Sequence, residues 1–577
     1  MSFSFCKRYY LSIISIFIVS FSLPIFANKL SLTEFSQSLQ WQKILHYKEN
    51  SNNQSYITSK QFFLSPSIKT TPLDELKATI NAFYAPIKDD SLINEHAQCR
   101  FPARLILIKK HVKLAETNLF PAVNCKKYKN WLIDVDASSI SIVFASGYMS
   151  NPASIYGHLF LKLNRAQDQN DNYTKSNLLN ASLNYGAIVP TGDNPITYVL
   201  KGIFGGYNAG YSDQQFYRHQ HNYGSIELRD LWDYKLSLKT EDVDLIVAHI
   251  WELLGNQFDY YFIDENCAFH IAKLLEIVLD QPLISNDSLW VLPSAVAKGL
   301  EQAHHHEKPL LKRVNYIASS ESVLHNYYHQ LTKEQQKISQ ELINQSFNFS
   351  NENYLRLPTV DKQVIVESLF QYLNVIKQKQ PENTFVEASK KKLMKERFEM
   401  PIGKTLTTKF IIKKPPPHQG MKSSKYSLGL ATMNHNQHLT AGFRMNFFDD
   451  LSSSIGRQPF ANLEMMDVEL IADDSKVRIA KLDLIDINSL YIPPVPWSNI
   501  SESAWSVRAG YEQLNNDCFD CGIFFAEGNL GKSKLINNSH LIYTMLGGKL
   551  FFGAEDDINI SAKLGVISNL SDKVKVK

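Results

Sequence analysis

Cys267 is the residue of this chain best placed to do chemistry. The sequence holds six cysteines. Cys6 precedes an apolar N-terminal run that reads as a removable leader. Of the other five, Cys99 and Cys125 can close a short loop, and Cys518 and Cys521, in NDCFDCG, are spaced for a tight bridge. A CxxC pair can also hold zinc, but no second CxxC or nearby histidine pair accompanies this one. Cys267 is left over, and an odd thiol in an exported chain is either an inert buried side chain or a nucleophile. It follows FDYYFIDEN and opens CAFHIAKLLEIVL, where a strand is expected to give way to a helix. A thiol in the first turn of a helix meets the positive end of the helix dipole and unpaired amides, which favour thiolate. The same amides suit an oxyanion formed during acyl transfer.

Such a nucleophile needs a base within hydrogen-bond reach. Of the 17 histidines, His304, His305 and His306 form a polar HHH stretch that reads as a solvated loop rather than a metal site. His219 and His221 flank Gln220 on a predicted strand, and His249 falls mid-helix. His270, three residues after Cys267, shares roughly its helix face and reads as packing. His158 follows Gly157 at the mouth of the predicted strand HLFLKLN, in the same stretch of chain as Cys267, and is the expected base. The pattern implies no metal and no cofactor.

The elements that must position these residues follow from periodicity. Lys7 and Arg8 precede an apolar run over residues 9–23, broken by Pro24, with Ala27 before Asn28. That is the order of a signal peptide at residues 1–27, and the serine-broken run is short for a membrane span. The expected location is the periplasm, in association with the outer membrane, where disulfides persist. Residues 28–95 read as a helical N-terminal domain, with Thr71 capping and Pro72 opening the helix of TPLDELKATINAFYAP. Residues 96–300 alternate strands (SISIVFASGY, HLFLKLN, LLNASLNYGA) with helices. NPITYVLKGIFGGYNAGYS reads as a helix and a Gly-rich turn, YGSIELRDLWDYKLSL as a long strand, and TEDVDLIVAHIWELLGN as a helix from a Thr240 cap to Gly255. The class is α+β with a mainly antiparallel sheet. Residues 301–415 are a helical region and linker. Residues 424–577 alternate with period two between turn signals, giving an antiparallel all-β domain that suits an outer-membrane barrel as well as a soluble sandwich. The chain is 44% hydrophobic and 20% charged with a net charge of +3, a globular balance that gives no bulk reason to bind nucleic acid.

SNPASIYGHLFLKL around His158, LNYGA at 183–187 and ENCAFHIAKLLEIVL around Cys267, with CRFPAR from Cys99, stand in an order and spacing that resemble the Lnb-type N-terminal periplasmic domain family over about residues 95–300. The family is similar to circularly permuted papain-like proteins of the NlpC type, in which the histidine precedes the cysteine. The resemblance implies Cys267 as nucleophile and His158 as base. It implies Asn184 on the adjacent strand, with Ser182 as the alternative, as the group that orients the imidazole. Tyr156, Asn266 and Ser182 are the implied substrate or oxyanion contacts. Some relatives are lipoprotein N-acyltransferases, which implies an acyl-thioester enzyme acting on phospholipid or lipoprotein at a membrane surface. Those relatives carry membrane helices after the domain, where this chain has its β-rich part. A cell-wall amidase or peptidase, and a non-catalytic envelope structural or binding protein, are the other two readings.

Overall fold

The structure is a computed structural model. It describes residues 29–577 apart from 50, 52, 67–69, 88, 114–119, 150–153, 167–174, 191, 286–287, 403–412, 434–435, 473–475, 494, 498–503, 514–520, 537–538, 554–557 and 572–573. The expected signal peptide at 1–27 lies outside the described residues.

A seven-stranded sheet carries the candidate site. Its members are β1 (Ala137–Ala145), β2 (His158–Arg165), β3 (Ala181–Ala187), β4 (Tyr207–Gln215), β5 (Leu231–Leu236), β6 (Phe258–Tyr260) and, beyond a small hairpin of β7 (His304–His305) and β8 (Lys308–Pro309), β9 (Leu311–Ile317). The order is β6-β4-β3-β2-β1-β5-β9, and every pair is antiparallel. Alternation sorts the side chains. Ile140, Ile142, Phe144, Leu159, Leu161 and Leu163 enter the main core with the Thr240–Leu253 and Cys267–Glu276 helices. On the other face Val143, Ala145 and Phe160 pack on Phe216, Leu231 and Ile317.

The N-terminal helices, among them Pro72–Phe83 and Pro102–His111, add Trp41, Leu76, Phe83 and Leu107 to that same main core. Arg104 pins them from within. Its guanidinium meets Glu75 at 2.7 Å and the Phe62 carbonyl at 2.8 Å, and its main-chain N–H donates to Glu252 at 3.0 Å. Thr71 caps its helix by accepting from the Asp74 N–H, with Pro72 in the first turn. The helix expected to be capped by Thr240 instead takes Lys239 as its cap and begins at Thr240; Gly255, at φ 79°, follows its end. Cys99 and Cys125 form a disulfide. Cys521 is disulfide-bonded too, while Cys518, its expected partner, lies outside the described residues.

Three local expectations are corrected. The long strand expected of YGSIELRDLWDYKLSL is confined to Leu231–Leu236. Upstream of it a π-helical turn, Gln220–Ile226, continues the Phe216–His219 helix, so His219 and His221 sit on helical turns. The His219 ring stacks on Tyr223 four residues on, a helical spacing that period-two patterning hides. GYNAGYS, expected as a turn, supplies β4, with Tyr207, Ala209 and Tyr211 alternating inward. The strand before Cys267 stops at Tyr260, and residues 261–266 are loop.

Beyond the sheet, the helices Ser320–Gln330, Lys333–Asn344, Thr359–Lys379 and Thr384–Phe398 share a second core that also takes Trp497. The C-terminal part is an antiparallel meander of nine strands, as expected of an all-β domain: β10 (Lys425–Met433), β11 (Asn436–Phe448), β12 (Ala461–Ala472), β13 (Val477–Ser489), β14 (Ala504–Gln513), β15 (Gly522–Ile536), β16 (His540–Phe552), β17 (Ile558–Ser571) and β18 (Val574–Val576). The sheet curls strongly. Lys563 of β17 reaches Ser506 of β14 at 3.3 Å, and Lys575 and Lys577 reach Ser452 and Asp450 in the β11–β12 connection at 3.1 and 2.8 Å.

Candidate active site

Cys267 is the first residue of the Cys267–Glu276 helix and the one free cysteine among the described residues. Asn266 caps this helix: its Oδ1 accepts from the N–H groups of Ala268 (2.9 Å) and Phe269 (3.3 Å). Its Nδ2 donates to the carbonyls of Phe262 and Val291 at 3.1 and 2.7 Å. All of these bonds are local, so Asn266 holds the backbone at the sulfur.

His158 opens β2. Gly157 before it has φ 99°, and a Cβ there would lie 2.8 Å from the Phe144 ring, so the turn that delivers the imidazole requires glycine. In the β2–β3 register Leu161 faces Leu183, so Asn184 extends back toward the start of β2. Its Oδ1 lies 2.6 Å from His158 Nε2 and accepts that N–H. The other ring nitrogen, Nδ1, is left for the sulfur. Cys267 and His158 share a hydrogen bond and a direct charge interaction.

The electrostatics follow from this pairing. Burial pushes the Cys267 thiol up, but the charge and hydrogen bond of His158 outweigh it, helped by the backbone N–H groups of Leu159 and Ala268; the thiol titrates below its ordinary range. Burial pushes His158 down and nearby Arg229 acts in the same sense. The Cys267 charge and hydrogen bond, with the Asn184 bond, outweigh them, and the imidazole titrates above its ordinary value. Each group thus favours the charged form of the other. Phe160 and Tyr223 flank the imidazole, with ring centroids 6.3 and 5.6 Å away. Beyond them His219 is held neutral, its pKa lowered to about 3 by burial and then by the His158 charge.

The other expected site residues are dispersed. Ser182 donates to the Gln214 carbonyl at 2.8 Å and does not meet the imidazole. Tyr156 turns toward the C-terminal sheet, with its ring 6.3 Å from Phe448 and its buried hydroxyl unpaired among the described residues. His270 is buried against Tyr185, ring centroids 4.1 Å apart, and burial drives its pKa well down. Two groups near the sulfur were not anticipated. The Tyr260 hydroxyl faces the Cys267 main-chain N–H, and Leu159 aims its own N–H at the sulfur. Tyr260 stands seven residues before Cys267 within FDYYFIDENC, a position without a distinguishing signal in sequence.

A cavity of about 500 Å³ opens past the ends of β1 and β5, lined by Ser146, Arg229, Asp230, Lys414, Arg457 and Tyr491 among others. Neither Cys267 nor His158 lines it; Arg229 borders both it and the imidazole. Asp242, His305 and His306 bring possible metal-ligand atoms within 4.8 Å of one another. His305 Nε2 bonds Asp242 at 2.9 Å, which ties the β7–β8 hairpin to the start of the Thr240–Leu253 helix, so the HHH stretch is a hairpin rather than an irregular loop.

The fold and site define an α+β domain with a cysteine–histidine–asparagine cluster in which Cys267 is buried and His158 and Asn184 are partly buried. Residues 127–299 match the Lnb N-terminal periplasmic domain family, and this segment is a domain of that kind. Residues 33–111 and 414–577 match two domains of unknown function, DUF7843 and DUF7840. No curated protein and no solved structure matches the chain. The match to a periplasmic family supports an exported protein of the periplasm. Among the described residues no helix is long and apolar enough to cross a membrane.

Proposed function

We propose that this chain is an exported cysteine-dependent acyltransferase of the permuted papain-like kind, acting on lipid or lipoprotein. The observation that carries the proposal is the placement of His158 between Cys267 and Asn184. The Cys267 thiolate, which the backbone N–H groups of Leu159 and Ala268 face, attacks an ester carbonyl to form a tetrahedral intermediate. As the tetrahedral intermediate collapses, the His158 imidazolium gives its proton to the departing alkoxide, leaving a thioester on Cys267. An amine then attacks the thioester while His158 takes its proton, and the amide product leaves as the thiolate returns.

Apolar surface near the site favours an acyl substrate. The Pro195–Phe204 helix packs on the loop leading to Cys267, where the Phe262 N–H donates to the Gly202 carbonyl at 2.7 Å. It exposes Leu200 and Phe204, and the segment after β3 exposes Ile188 and Val189. The test is incubation of purified protein with a fluorescent-acyl phospholipid. The expected result is a hydroxylamine-labile label that Cys267→Ala abolishes; label that persists in that variant, or none in the wild type, overturns the proposal. The charged lining of the adjacent cavity favours a second reading, an amidase acting on cell-wall peptide. Release of peptide fragments without acyl labelling would select it.

A further inference from the structure

The curled β10–β17 sheet buries paired charges on its inner side, among apolar clusters such as Leu541, Tyr543, Met545 and Ile567. Arg508 Nη2 meets Asp483 at 2.8 Å, Lys481 meets Asp467 at 2.9 Å and Lys563 meets Glu527 at 2.9 Å, and all three carboxylates are buried. Its outer side is apolar and open: Leu430, Leu530, Leu546, Phe552, Ile560 and Leu564 are each at least 61% exposed. The alternation holds residue by residue on β16, where Leu541, Tyr543, Met545 and Phe551 point inward and Ile542, Leu546, Leu550 and Phe552 outward. One register line across the sheet runs outward-facing from Tyr426 through Phe443, Leu482 and Tyr511 to Phe524 and Phe552.

We propose that this outer face lies in the hydrocarbon of a lipid bilayer, with the Cys267 domain held at the membrane surface. In water, burying paired charges while exposing a continuous apolar band forgoes the main driving force of folding. In lipid the same arrangement is that of a small membrane barrel, polar within and apolar without. The dimensions agree. From Ile542 to Phe552 the outward residues of β16 span roughly 33 Å along the strand, which at a tilt of about 40° gives a band about 25 Å tall. Hydrocarbon tolerates no unpaired strand edge, so in the bilayer β10 pairs with the β17–β18 edge. The long strands β10–β17 are about the number with which small barrels close on a side-chain-filled interior. The contacts of Lys575 and Lys577 with the β11–β12 connection already carry the last strand toward the first.

The depth of insertion is also marked. At one end of the sheet, Met149 and Ile155 of the catalytic part cover Phe448, Leu463 and Ile487. At that same end β15 turns the exposed Lys532 and Lys534 outward, just beyond Gly531, which pairs with Ala504. Lys534 and Lys532 pair with Ile542 and Thr544, so they stand at the upper edge of the apolar band, where their long stems reach up to anionic headgroups.

The test is flotation of the full chain, lacking residues 1–27, with vesicles of phosphatidylethanolamine and phosphatidylglycerol. Wild type and Cys267→Ala are expected to float equally, which separates this proposal from the enzymatic one. Leu546→Arg with Leu564→Arg is expected to reduce the bound fraction by about tenfold or more. Because that variant can misfold, a second measurement uses vesicles with brominated acyl chains. The emission added by Leu546→Trp is expected to be quenched, and that added by the inward Met545→Trp is not. Wild-type protein that stays with the aqueous fraction, equal quenching at the two positions, or a lipid-free dimer that Leu546→Arg dissociates would each overturn the proposal, the last by assigning the face to a second copy.

Discussion

Asn184 Oδ1 holds His158 Nε2 at 2.6 Å, and that bond determines which imidazole nitrogen serves Cys267. Without it the ring is free to turn about its side-chain bonds. Asn184→Ala is expected to slow thioester formation by roughly 10² with little change in KM. The bond also raises the His158 pKa, so the alkaline limb of the rate profile should move to lower pH. Single-turnover rates across pH would measure both; a change confined to KM would reassign Asn184 to substrate contact.

Cys267 and His158 act as one unit if the proposal holds. Cys267→Ala and His158→Ala should each remove several orders of magnitude, and the double variant should be hardly worse than Cys267→Ala alone. Losses that multiply would mean that the two residues serve separate steps.

The pH dependence has a definite sign. Cys267 titrates below the ordinary thiol range, so its alkylation by iodoacetamide should stay fast at pH values where a free cysteine has slowed. His158 is the main cause of that lowering. In His158→Ala burial is left largely unopposed, and the midpoint should rise above that of an ordinary thiol. Superimposable profiles for the two proteins would contradict the ion pair.

Arg104 is buried with Glu75, and its removal strands a carboxylate in the core. Arg104→Met is expected to destabilise the protein by about 3–5 kcal/mol, read from urea unfolding. The double change Arg104→Met with Glu75→Leu should recover much of this loss, since the stranded charge goes with it.

The site was legible in sequence where composition isolated a residue. Cys267 was the thiol without a partner, and His158 followed a glycine at a strand mouth. The choice between Asn184 and Ser182 was not, because residues two apart share a strand face and only register decides which reaches the imidazole. Tyr223 was hidden by reading 223–238, and His219 and His221 before it, as strand, although Phe216, His219 and Tyr223 recur at three and four residues, the helical period. In residues 424–577 the alternation announced two unlike faces. It is blind to which face turns inward, because a period of two is the same in either sense, and the apolar outer face emerged only from the curl of the sheet.

The segment that ends at His158 is seated by a distant part of the chain: the Gly147 N–H donates to the Gly456 carbonyl at 3.2 Å, and Met149 and Ile155 are buried on β11–β13. A fragment cut after residue 300 would keep every reacting atom and lose the bed on which the imidazole is delivered. The proposed chemistry therefore depends on more chain than the span that carries its reacting atoms, and a fragment ending at residue 300, which also loses β9 from the sheet, should prove idle.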